Sequence, residues 1–448
     1  MSRGKCNIGK NIEVTYDQET CSVEFYSDGG TLCRDWVEKL GADRNSITSI
    51  KVAEGVLYLP EDCSGLITKT NRYTLFGGLM NLQEFDGTNM DTSNVTNMSN
   101  MFCGCENLTD LDLSSFDTSC VTDMQGMFYN CCSLTDLDLN SFDTSNVKNM
   151  AGMFFGCGFE EFAIDFDTSK VVDMSCMFDS CTCLTDLDLS GLDTSSVKDM
   201  SNMFHDCEGL TSLDLSSFDA SNVTNMEYMF ADCAELATLD LTGFSTSNVT
   251  DMSYMFSHCE SLKKLDLSSF DTSSVTSMNA MFHDCAGLKN VNLSSFNTSK
   301  VTDMTAMFSF CEKVKSLDLG SFDTSSVTDM TEMFSNCENI RSLDLSGFNT
   351  SNVTDMAEMF DSCNHLKSLN LSSFDTSNVV NMNDMFYGCE ALTILDLSSF
   401  DTSNVMNMSG MFCECCNLKS LGVKALNKSK AANVSRMFEG CENLTGLI

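Results

Sequence analysis

The chain has 448 residues and a formal net charge of −39. That balance argues against a nucleic-acid surface, which needs a basic footprint, and against attraction to anionic lipid. A hydrophobic content of 42% is too high for a disordered chain, and no apolar run approaches the ~20 residues of a membrane span.

Residues 1–65 read as a small, mainly-β N-terminal cap. Ile12–Tyr16 and Ser22–Tyr26 alternate like the strands of a hairpin. Leu32 to Leu40, with Trp36, reads as a short helix. Ile47–Val52 and Val56–Leu59 read as two further strands, and Leu66 to Asn71 as a loop. No secretory leader is visible in the first residues.

Residues 66–448 read as a solenoid of about fifteen 26-residue repeats. The anchor is a Met-Phe pair followed three residues later by Cys, as in Met281, Phe282 and Cys285. That cysteine recurs at Cys105, Cys131, Cys157, Cys181, Cys207, Cys233, Cys259, Cys285, Cys311, Cys337, Cys363, Cys389, Cys415 and Cys441. Every step is 26 residues except the 24 between Cys157 and Cys181. A fixed period of this size marks a repeat array. Within one repeat, Leu262, Leu265 and Leu267 give an L-x-x-L-x-L strand signature. Val275, Met278, Met281, Phe282 and Cys285 then fall on one face of a 3.6-residue period.

The fold class is therefore α/β: a leucine-rich-repeat-type solenoid with one parallel strand and one short helix per repeat. The Val-Thr-Asp-Met piece equally suits a second short strand. In the short repeat, Phe159, Phe162 and Ile164 keep the strand spacing, so its deletions fall in turns. From Lys424 to Ala432 the chain is basic and the register loosens. The last residues stop inside a repeat, which implies a natural chain that continues.

The fourteen column cysteines read as reduced, buried small hydrophobes. Helices side by side sit about 8–10 Å apart, too far for a disulfide. Cys6, Cys21, Cys33 and Cys63 are candidates for pairing in an oxidising setting. The Met and Phe columns read as core. His205, His258, His283 and His365 read as exposed. No nucleophile–base pattern, phosphate loop or metal-ligand spacing appears, so the reading is not an enzyme, with no cofactor and no metal.

Three acidic columns remain. The first lies between strand leucines and faces solvent: Asp112, Asp138, Asp188, Asp214, Asp240, Asp266, Asn292, Asp318, Asp344, Asn370 and Asp396. Like charges on a ladder about 4.8 Å apart repel, so this column is either a ligand-facing acidic stripe or a solubility ladder. It is the candidate binding site. The second, exemplified by Asp219 and Asp271, precedes Thr-Ser or its variant and suits an Asx-turn. The third, including Asp123 and Asp303, falls early in the expected helix and suits the helix dipole.

The phrase F-D-T-S-x-V-x-x-M-x-x-M-F-x-x-C, with Ile47–Val52, Gly55–Pro60 and Asp86–Met90 ahead of it, resembles the BspA-like leucine-rich-repeat family of bacterial surface proteins. The resemblance covers about residues 45–448. It implies secreted or surface-attached adhesins or binding scaffolds, hence an extracellular or cell-surface location, although no anchor is visible. The reading is a non-enzymatic surface scaffold or adhesin presenting an acidic parallel-sheet face. Its partner would be a protein or glycan on a host, a neighbouring cell or matrix; nucleic acid and a membrane span are not expected, and the chain is expected to be a monomer. The alternative is an architectural spacer or stalk that holds another domain away from a surface.

Overall fold

The computed structural model describes residues 6–8, 10–64, 66–68, 71–422 and 433–447. The basic segment Lys424 to Ala432 and the Cys6 side chain lie outside what is described. The chain packs as two compact units, Met1–Leu210 with Ser217–Asp219, and Thr211–Ser216 with Ala220–Ile448.

In the first unit, β1 (Cys6–Asn7), β2 (Ile12–Asp17) and β3 (Ser22–Thr31) pair antiparallel in sequence order. β4 (Ser49–Tyr58) runs parallel to β3 through two register shifts. The two strands expected at 47–52 and 56–59 are thus one strand. Gly55 makes this continuity feasible. Its φ is +77°, and a Cβ there would collide with the Ser27 carbonyl.

The expected helix at 32–40 shrinks to α1 (Trp36–Leu40), the only α-helix among the described residues. Trp36 is buried, and its indole N–H donates to the Leu75 carbonyl at 2.9 Å. Where a loop was expected after residue 65, β5 (Leu66–Thr68) and β6 (Asn71–Tyr73) pair antiparallel. β4 then pairs in parallel with β7 (Glu84–Asp86) and β8 (Met90–Asp91), and β7 with β9 (Asp110–Asp112). Ile50, Phe85 and Leu111 stand opposite one another, so the first sheet runs directly into the repeat register.

Short parallel strands recur in both units. Phe162 pairs with Leu187 in the first, so the 24-residue repeat keeps its strand in register. In the second, Leu213 pairs with Leu239, Leu265 with Val291, Leu343 with Leu369 and Leu395 with Leu421. The residues on either side of these apolar positions are mostly exposed.

The short helix expected in every repeat is absent from the described residues. In its place a second ladder joins successive turns through single parallel bridges, such as Asp251 to Ser277 and Ser277 to Asp303. Main-chain N–H groups alternate between two uses. Met278, Ala280, Phe282 and Asp284 donate to Asp303, Thr305, Met307 and Ser309 in the next turn, at 2.8–3.1 Å. Met281, His283 and Cys285 donate three residues back, at 3.0–3.2 Å. Half the N–H groups thus serve a neighbouring turn, and none is spent on the i to i−4 bonds of a helix.

Two left-handed residues per turn enforce this path, as at Ala280 (φ +51°) and Asp284 (φ +52°). The three-residue chords bring Val275, Met278, Met281, Phe282 and Cys285 to one side, which mimics a helical period. All five are buried completely.

The columns stack face to face. Phe102, Phe128, Phe154 and Phe178 stack at 5.5–5.9 Å in the first unit. Phe256, Phe282, Phe308 and Phe334 stack at 5.4–5.9 Å in the second. At its start the first stack leans on Phe76, which Trp36 touches at 6.3 Å. The Met, Phe and Cys columns are the core up to Met411, Phe412 and Cys415, as expected from the sequence, whereas Phe438 in the last turn is exposed and Cys441 half-buried.

Candidate functional site: the outward face of the strand ladder

Every member of the first acidic column is exposed: Asp112, Asp138, Asp188, Asp214, Asp240, Asp266, Asn292, Asp318, Asp344, Asn370 and Asp396. Direct neighbours face each other across the ladder, as Asp214 does Asp240 and Asp266 does Asn292. A shallow depression of about 360 Å³ lies over Ser212–Asp214, Thr238–Thr242 and Asp266, bringing three of the candidate carboxylates to one place.

These side chains also do local structural work that the sequence reading missed. Each Oδ1 accepts the backbone N–H two residues on: Ser216 to Asp214 at 2.9 Å, Thr242 to Asp240 at 2.9 Å, Ser268 to Asp266 at 3.0 Å. Asn292 and Asn370 make the same bond to Ser294 and Ser372. This is the Asx-turn that was expected for the second column alone. Bonds from Ser216 hold the Asp214 carboxyl below its ordinary range, and bonds from Ser268 do the same for Asp266.

The second column behaves as expected. Ser273 N–H donates to Asp271 Oδ1 at 3.0 Å. It is tied to a buried threonine column. Thr272 Oγ1 donates to the Asn297 carbonyl at 3.0 Å and accepts Asn297 N–H at 2.8 Å. Thr298 and Asp323 repeat the arrangement.

The third column is not at a helix start, so the dipole explanation falls. Asp303 Oδ1 accepts Thr305 N–H at 2.9 Å, and Asp329 accepts Thr331 N–H at 2.9 Å, each at a bridge position of the second ladder. Three aspartates or asparagines per turn thus close three turns. The acidity of the chain is in large part turn chemistry.

The histidines also differ from expectation. His365 alone is exposed; the other three are half-buried. His258 Nδ1 lies 3.2 Å from Asp284, and the His283 ring packs edge-on to His258 and Phe310. His205 Nδ1 lies 2.9 Å from Asp179 Oδ1, which also accepts the Ser180 hydroxyl. Cys176 is close to the same carboxylate. Burial first, and then the Asp179 charge, push its thiol up to about 12. A carboxylate that suppresses the thiolate is the reverse of what a cysteine nucleophile requires. Among the described residues no cluster has the composition of a metal site, and no helix is long and apolar enough to cross a membrane.

The fold and its outward face define a class: a repeat protein whose stacked turns share two parallel ladders. The family model described as "Mycoplasma protein of unknown function, DUF285" matches residues 70–165, 157–264, 230–343 and 334–448. These matches span most of the chain, and the chain belongs to that family. They bear out the repeat-family resemblance read from the sequence.

No curated protein matches the sequence. Among solved structures, a leucine-rich repeat protein from Bacteroides ovatus aligns over 97% of this chain and 92% of its own, at 17% identity and a TM-score of 0.49. One from Eubacterium ventriosum covers 98% and 95%, at 14% identity and 0.37. A leucine rich cell surface protein from Faecalibacterium prausnitzii covers 99% and 94%, at 13% identity and 0.32.

Proposed function

We propose that the protein is a non-enzymatic binding scaffold at a cell surface, an adhesin whose strand face takes a protein or glycan partner. The observation that carries this reading is a contrast within each repeat. Inward positions barely change: Val275, Met278, Met281, Phe282 and Cys285 recur as Val301, Met304, Met307, Phe308 and Cys311, all completely buried. Outward positions do change. The residue four places after the column cysteine is Thr109, Thr185, Ala237, Lys263 or Arg341 in different turns. A fixed frame with a varied outer face is what repeat proteins use for recognition.

The Asp214, Asp240 and Asp266 depression is the proposed docking place for a cationic group of the partner. The spacer reading draws support from the Asx-turns, which account for the aspartates without a ligand. The deciding experiment is binding of the intact chain to immobilised matrix proteins and to cells, compared with the triple variant Asp214→Asn, Asp240→Asn, Asp266→Asn. Asparagine keeps the turn bond and removes the charge. The scaffold reading expects unchanged melting and weakened binding. Absence of binding by the intact chain supports the spacer.

A further inference from the structure

Within the second unit the outward face carries a stripe of opposite sign. Lys263, Lys289, Lys315, Arg341 and Lys367 each stand four residues after their column cysteine, in five successive turns. All five are exposed. Backbone bonds tie the positions into one column: Lys289 N–H donates to the Lys263 carbonyl, and Lys367 N–H to that of Arg341, both at 3.1 Å. The chain has only 25 basic residues against 64 acidic ones. Lys264 adds a sixth cation on the same face, opposite Asn290.

Three observations set this stripe apart from a chance cluster. Like charges one ladder step apart repel, and turn chemistry does not excuse lysines as it excuses the aspartates. The five take no part in the ion pairs found among the described residues. The acidic column beside them is also thinned: Asn292 and Asn370, its only two uncharged members, both fall in turns of this stripe.

We infer that this stripe binds a linear polysaccharide bearing carboxylate groups. The inference rests on the scaffold reading and names the partner class for that face. Five cations spaced one ladder step apart cover roughly 19 Å at about 4.8 Å per step, the footprint of a slender chain. The hydroxyls and amides of Asn290, Ser342 and Ser368 stand beside the cations and supply donors and acceptors for sugar hydroxyls.

Other polyanions match less well. A single-stranded nucleic acid requires aromatic platforms for its bases, and these columns contain none. An extended acidic peptide repeats its same-face side chains every ~6.7 Å, out of step with the ladder.

The test is titration of the full chain with polygalacturonate oligosaccharide. The comparison probes are its methyl ester, poly-glutamate and oligo-deoxythymidine. The expected result is binding to polygalacturonate that weakens with salt, fails on esterification and falls at least tenfold in the variant Lys289→Gln, Lys315→Gln, Arg341→Gln. Asp318→Asn with Asp344→Asn should strengthen it several-fold by removing repulsion. Circular dichroism and melting of each variant confirm that the fold is kept.

No binding, equal loss with the Asp214/Asp240/Asp266 variant, or tighter binding of poly-glutamate or oligo-deoxythymidine overturns the inference. The scaffold reading survives that result if a matrix or cell partner still binds and depends on the Asp214 region.

Discussion

The thiol of Cys285 donates to the main-chain carbonyl of Phe256 at 3.1 Å, and the same oxygen accepts the N–H of Cys259 at 3.3 Å. The pattern repeats along the column, from Cys105 on Phe76 to Cys415 on Phe386. Each thiol thus links two turns through one carbonyl. The column cysteines stand unpaired, but the spacing argument drawn from the sequence does not hold. Their turns are spaced as β-ladders, about 4.8 Å, which lies inside the disulfide window. Chemistry protects them. Burial pushes the thiols of Cys105, Cys181 and Cys337 up to about 12, and the thiolate is the reactive form.

Thiol labelling of the native protein should therefore modify the exposed Cys120, Cys132 and Cys183 first. The column from Cys105 to Cys415 is buried and should label only after unfolding, whereas the half-buried Cys441 should label earlier; on denaturation all fourteen respond without reductant. Mass spectrometry of labelled peptides reads the order. Early labelling of Cys285 or Cys311, or fewer than half of the column released on denaturation, contradicts the buried, reduced column.

The threonine column should be more sensitive than its small side chain suggests. Thr272 is fully buried and bonds both main-chain groups of Asn297. Thr272→Val keeps the shape and strands two polar groups, which costs about 2–4 kcal/mol. Thr272→Ser keeps the hydroxyl and should lose about 1 kcal/mol or less. Urea unfolding of the two variants checks the order, and equal losses would mean that the methyl group, not the hydroxyl, matters.

The inward columns were legible because burial leaves a fixed signature, as at Met281, Phe282 and Cys285. The strand register was legible for the same reason, down to Phe162 in the short repeat. The helix was misread because three-residue chords imitate a 3.6-residue period. A contrary signal stood in the sequence. The position before the column cysteine is Gly, Asn or Asp in nine of the fourteen turns, as at Gly104, Asn130, Asp206, Asp232, Asp284 and Asn336, residues that tolerate left-handed backbone. A left-handed column has no place inside a helix. The candidate face was legible as exposed, but its Asx-turns were not, because strand-end and turn aspartates look alike in sequence. The basic stripe was visible as residue types and acquires meaning only when the ladder aligns the turns.

The strand-face aspartates set an acid limit on stability. Bonds from Ser114 hold the Asp112 carboxyl below its ordinary range, and bonds from Ser346 do so for Asp344. A lowered folded-state value contributes stability above the unfolded carboxylate range near 4, and that contribution is lost as pH falls through the folded value. Repulsion along the column opposes it near neutral pH and is screened by salt. Melting temperature should rise from low salt to 0.5 M salt at pH 7. Asp214→Asn, Asp240→Asn and Asp266→Asn together should leave it unchanged or higher, whereas the three changed to Ala should lower it. A much lower melting temperature for the Asn triple would make the charge itself structural.

Asp361 behaves in the opposite way and gives the sharpest test of the electrostatics. It is part-buried in the second unit, where its Oδ1 accepts the Ser362 hydroxyl at 2.9 Å. Burial first, and then the charges of Asp384 and Glu332, raise its pKa to about 6. Glu358 is raised by burial and by Glu332, Asp361 and Asp384. The unfolded aspartate loses its proton near 3.9, so as pH rises from about 4 to 6 the unfolded state ionises first and the folded state loses relative stability. Above about 6 the full penalty is present. Asp361→Asn removes the charge and keeps an acceptor for Ser362. It should therefore stabilise the protein at pH 7.5 by roughly 1–2 kcal/mol, less than the full linkage value because the side chain is partly solvated. The gain should shrink below pH 6 and vanish near pH 4, where the wild-type carboxyl is protonated in both states. Chemical denaturation of both proteins at pH 4, 6 and 7.5 reads the three points. A gain that is the same at all three places its origin in packing and removes the carboxylate repulsion from the account.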